Sequence, residues 1–183
     1  RGLGDVYKRQ ALEAKEALEA LMGGGAASLI EKSASLAGML LEMAGVASIG
    51  MGKRVALKAL KSGKALEKMR EIIEVQGGNP NVKPSDIPVG KYTIEIKAPC
   101  DGYVTKVSNE AIREIARVAG APQEKGAGVL LKAKVGYKVR EGDTLLVIYA
   151  ERESKLTDAY EVALKSKPII VEGMLLRRIP EYA

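Results

Sequence analysis

Near the middle of the chain, GGNPNVKPSDIPVG at residues 77–90 holds three of the seven prolines and separates two different hydrophobic patterns. Proline fixes φ and removes a backbone donor, so neither a helix interior nor a central strand crosses such a stretch. The chain must therefore fold as two regimes joined at a boundary.

Upstream, residues 11–77 are built from strong helix formers, with apolar residues recurring at spacings of three and four. Leu12, Leu18 and Leu21 mark a first helix that stops at the glycine triplet 23–25. Leu29, Ile30, Leu36, Leu40 and Leu41 mark a second, nearly all-apolar helix running to about Gly45. A helix apolar all round is expected to be buried, and Ala34, Ser35, Ala37 and Gly38 leave room for a neighbouring helix to come close. Two shorter helices follow at residues 53–61 and 65–76, the last closed by Gly77 and Gly78.

Downstream, YTIEIKAP, GYVTKV, GVLLKAKV, DTLLVIYA, PIIVEG and MLLRRI are short β-rich runs bounded by Gly, Pro and Asp. Helical patterns at residues 109–118 and about 154–165 interrupt them. The fold class is therefore α+β: a helical region at 11–77, a linker at 78–87, and a second region at 88–183 with helices inserted into a small sheet or barrel.

Composition removes several kinds of chemistry. The chain has no histidine, which excludes His-based metal sites, His general bases and Ser-His or Cys-His triads. A single cysteine, Cys100, cannot form an internal disulfide, and with no imidazole beside it reads as a small buried filler rather than a nucleophile. No apolar run reaches the ~18 residues of a membrane span, so a soluble cytoplasmic protein is expected. The formal charge of +6 comes with both signs interspersed and no Trp or Phe to stack on bases, which argues against nucleic acid. Two of those charges belong to RGLGDVYKRQ, residues 1–10, which looks like a reading-frame translation of a transposase sequencing adapter at all ten positions. That decapeptide is set apart as an artefact.

Two glycine motifs invite comparison with phosphate loops and fail it. SIGMGKR, residues 48–54, has Ala47 where a P-loop needs its first Gly and Arg54 where it needs a Mg²⁺-binding hydroxyl. It reads as a turn and helix start. The GAG at 126–128 lacks the third glycine of a dinucleotide fingerprint and reads as a tight turn before a strand. No catalytic, cofactor-binding or metal-binding residue is assigned.

APCDGYVTKV at 98–107 and KVGYKVREGDTLLVIYA at 134–150 resemble the scaffold of the biotinyl/lipoyl carrier fold, a barrel-sandwich hybrid. Carriers present a modified Lys within Glu-Ala-Met-Lys-Met or Asp-Lys, and neither motif occurs here. Lys132 and Lys134 are the only lysines near the corresponding turn. A non-catalytic carrier or binding module is thus one alternative, and an assembly domain with no enzymatic parent is another.

The order ALEAKEALEAL, GMLLEMAG, SGKALEKMREIIEVQGG, APCDGYVTKVSNEAIREIARVAGAP, KGAGVLLKAKVGYKVREGDTLLVIYAE and EGMLLRRIP is similar to the C-terminal part of the thymidine phosphorylase and AMP phosphorylase family, in wording closest to its archaeal members. The resemblance implies a pentosyltransferase parent that uses inorganic phosphate on a nucleoside or nucleoside monophosphate, with no metal or organic cofactor. It implies a homo-oligomer, and a catalytic site encoded before the ALEAKEAL helix, so that this piece is inactive alone. Residues 11–77 would be closing helices of a truncated α/β domain. The helix bearing Leu36, Met39, Leu40 and Met43 would then show a patch that the absent sheet should cover.

Overall fold

The computed structural model describes residues 6–7 and 10–173, which divide into two compact units, one of residues 11–88 and one that joins residues 6–7 and 10 to the chain from Val89 onward. The expected strand at MLLRRI lies outside the described residues.

The first unit is helical: α1 (Gln10–Leu21), α2 (Ala27–Met43), α3 (Gly52–Lys61) and α4 (Lys64–Val75). α1 stops at glycines in left-handed conformation, Gly23 (φ 91) and Gly25 (φ 80). α4 ends as expected, with Gly77 at φ 78 and the Gly78 N–H donating to the Ile73 carbonyl at 2.8 Å. The small residues of α2 serve the close approach read from the sequence. A Cβ at Gly38 would lie 2.3 Å from the Lys53 nitrogen, and one at Gly52 would lie 2.0 Å from the Gly38 oxygen. The α2–α3 crossing is thus glycine against glycine.

The expectation that α2 is buried holds on one side only. Ala34 and Gly38 are buried, whereas Leu36, Met39, Leu40 and Met43 are exposed. A 3.6-residue period puts these two sets on opposite faces, and α2 has a packed neighbour on just the first of them.

The second unit is α+β. Its strands are β1 (Val6–Tyr7), β2 (Tyr92–Lys97), β3 (Gly102–Val107), β4 (Gly128–Leu131), β5 (Lys138–Val139), β6 (Thr144–Ala150) and β7 (Ile169–Glu172). They form two antiparallel sheets, ordered β1-β4-β6-β2 and β5-β3-β7, with no closed barrel among the described residues. β6 runs between β4 and β2 and buries Leu145, Leu146, Val147 and Ile148 in succession, as a strand covered on both faces does. β4 is shorter than the run GVLLKAKV suggests, because the Lys132 and Ala133 N–H groups both turn to the Leu145 carbonyl, at 2.9 and 3.1 Å.

Helices α5 (Asn109–Val118) and α6 (Glu153–Ser166) pack on each other and on the four-stranded sheet, and Ile112, Ile115 and Ala116 of α5 are wholly buried. Ser108 caps α5 by accepting from the Ala111 N–H at 3.3 Å. Val104, Val129, Leu145, Leu146 and Ile148 complete one core, to which α6 contributes Ala159 and Ala163.

Candidate functional site

The two glycine motifs have structural roles. SIGMGKR ends in the first turn of α3, whose N-terminus offers the unpaired N–H groups that a phosphate would seek. A carboxylate of the chain already sits there: the Gly52 N–H donates to Glu42 Oε1 at 2.7 Å. The GAG turn is buried. The Gly126 N–H donates to Glu151 Oε1 at 2.8 Å, its carbonyl accepts from the Gly90 N–H at 2.9 Å, and Gly128 opens β4.

The lysines weighed as attachment sites lie in the connection between β4 and β5. Lys132 is exposed while its N–H joins the end of the β4–β6 ladder. Lys134 opens a turn in which its carbonyl accepts from the Tyr137 N–H at 3.0 Å and Gly136 takes φ 89. Neither stands at the tip of a regular hairpin. Cys100 is half-buried rather than fully buried, because it lies in the open turn between β2 and β3.

One highly connected polar group was not read from the sequence. Glu124, in the α5–β4 connection, turns its carboxylate to the start of α6. Oε1 accepts from Arg152 Nε at 2.7 Å and Lys155 Nζ at 2.8 Å, and also from Arg152 Nη2. Oε2 is buried without a partner beside Gly120, where φ is 122 and a Cβ would meet it at 2.4 Å. The hydrogen bond from Lys155 holds the Glu124 carboxyl below the usual glutamate range; burial works against this and Arg152 adds to it. No single local pattern could have disclosed this cluster, since the partners lie 28 and 31 residues away. It is an ion cluster that fastens a loop to a helix, and it has no nucleophile. On β6, burial and then the charge of Glu95 raise the Tyr149 phenol above its ordinary value.

Among the described residues, two hollows bear on the question of a site. One, of about 270 Å³, is formed by Glu110, Arg113, Glu114 and Arg117 on the surface of α5, where the charges pair along the helix. The other, of about 340 Å³, opens among α1, α2, α3 and α4 and is walled by side chains such as Ala17, Ile30, Ala34, Ala37, Leu60 and Met69. It offers no charged group for catalysis. Among the described residues no group of His, Cys, Asp and Glu is arranged to hold a metal ion, and no helix is long and apolar enough to cross a membrane.

Comparison with known proteins places the chain among relatives. Residues 103–169 match the family described as pyrimidine nucleoside phosphorylase C-terminal domain. An AMP phosphorylase of Pyrococcus horikoshii is 61% identical over 170 residues, which cover 92% of this chain and 34% of that protein. Those of Pyrococcus abyssi (60% over 168 residues, 91% and 33%) and Methanosarcina mazei (58% over 170 residues, 92% and 34%) match in the same way. The chain spans about a third of the length of these relatives, at their C-terminal end. The lysines of the carrier alternative thus stand in a domain of another family, without the attachment motif. The chain belongs to the pyrimidine nucleoside phosphorylase and AMP phosphorylase family, of which it carries the C-terminal part.

Proposed function

We propose that the chain is the supporting C-terminal third of an AMP phosphorylase. In the parent, a phosphate oxygen attacks the anomeric carbon as the bond to the base breaks; that bond's electron pair leaves with the base, which ends with the proton given up by the phosphate, so the products are free base and a sugar 1-phosphate. Positioning and electrostatic stabilisation carry such a reaction, and on this reading the groups that supply them precede Ala11. No catalytic residue is assigned to this chain. Its part is to hold one wall of the domain rigid and to contribute to subunit contact in a homo-oligomeric, cytoplasmic enzyme.

The observation that carries this reading is the match to AMP phosphorylases over nine-tenths of the chain but only a third of their length. The exposed apolar face of α2 supports it, because such a face lacks its covering element. The test joins the upstream two-thirds of the Pyrococcus horikoshii relative to residues 11–183 and supplies AMP and inorganic phosphate. The chimera should release adenine, and residues 11–183 alone should release none. A well-folded chimera that is inert, or turnover by the chain alone, overturns the reading.

A further inference from the structure

Six apolar side chains, Leu36, Met39, Leu40, Met43, Val46 and Ile49, form an exposed run along α2 and the turn beyond it. Met43 is 82% exposed and Ile49 93%, so this is not the margin of a core. The first four follow the i, i+3, i+4, i+7 spacing of a single helix face. The only charge between residues 36 and 49 is Glu42, and it is turned away to cap α3. No charged side chain therefore interrupts the run, and its one polar residue is Ser48 in the turn. The opposite face of α2 is already packed glycine to glycine on α3, and the apolar hollow among the four helices also stands open.

We propose that this face is a docking surface that binds the upstream two-thirds of an AMP phosphorylase without a covalent link, so that the chain and that piece reassemble as a split enzyme. The proposal rests on the reading above for the identity of the partner. The occupant follows from length and chemistry. The relatives carry about two-thirds of their chain outside the matched segment, and an uncharged face of this extent calls for an equally apolar, permanent partner. A transient partner would be expected to leave charges around the contact.

The experiment uses the same chimera with a protease site before residue 11. The intact chimera tests the enzyme reading through adenine release, and cleavage after folding tests the docking proposal. After cleavage the two pieces should co-elute and keep their phosphorolytic activity. Leu40→Glu together with Met43→Glu should weaken their association by tenfold or more, since each substitution places a charge where an apolar side chain is buried. These positions are exposed in the chain by itself, so circular dichroism of the isolated double variant should match the parent chain. Tyr137→Glu, on the α+β unit, is the control and should leave association unchanged. If the intact chimera is active but the cleaved pieces separate at once, the docking proposal fails and the enzyme reading stands. Co-elution of the Leu40→Glu/Met43→Glu pieces as tight as the parent's also overturns it, as does a dimer of the chain through this face that the upstream piece cannot displace.

Discussion

Replacing Glu124 by Gln removes one charge from the connection between α5 and β4 while keeping its shape. Three hydrogen bonds from two cations converge on one oxygen, and the bounds on their worth differ widely. A fully exposed pair contributes ~0.2–1 kcal/mol, whereas breaking a fully buried one costs about 3–5 kcal/mol. The Glu124 side chain is 11% exposed, near the buried end, but Arg152 at 64% and Lys155 at 29% regain water when the carboxylate is lost. No cation is stranded in the core. The new amide, if its NH₂ group replaces Oε2, would lie against Gly120 in a buried position. The expected cost is about 2 kcal/mol, between the two limits. For a unit of this size that lowers Tm by roughly 10 °C, readable by circular dichroism at pH 7.

The pH dependence gives the sign independently. The folded-state pKa of Glu124 is lowered, so its contribution is fully present above the ordinary glutamate range and is lost as pH falls through the lowered value. The Tm difference between the parent chain and Glu124→Gln should therefore close in acid. A Tm within 2 °C of the parent at pH 7 would refute the clamp, by the ~5 °C per kcal/mol that relates the two. So would a difference that stays constant from pH 7 into strong acid.

Two further substitutions test the elements that set the architecture. Gly38→Val puts a side chain onto the α3 backbone, 2.3 Å from the Lys53 nitrogen at its Cβ; pushing the helices apart should cost ~1–3 kcal/mol. Faster amide exchange in α2 and α3, with the β6 amides unchanged, is the expected result. Ser108→Ala removes the cap on the α5 N-terminus and should destabilise the α+β unit by ~1 kcal/mol, read as a lower urea midpoint at unchanged slope. Loss of the slope instead would mean that α5 nucleates more of the unit than its cap position implies.

The sequence by itself determined the elements whose cause is local. The 3.6-residue spacing and the glycines at 23–25 and at 77–78 set where helices run and stop, and the helix expected at 109–118 is α5 as observed. The order of the motifs was also legible, and with it the family. Tertiary structure decided what depends on partners far along the chain. β5 has just two residues and exists because Gly102 and Tyr103 pair with it, and β4 stops where two N–H groups compete for one carbonyl of β6. The pairing of Glu124 with Arg152 and Lys155 joins residues with no common periodicity. Periodicity showed α2 to be nearly all-apolar, but only packing could say which face meets a neighbour. A hydrophobic pattern records which side chains avoid water; the element that covers them is a matter of three-dimensional contact.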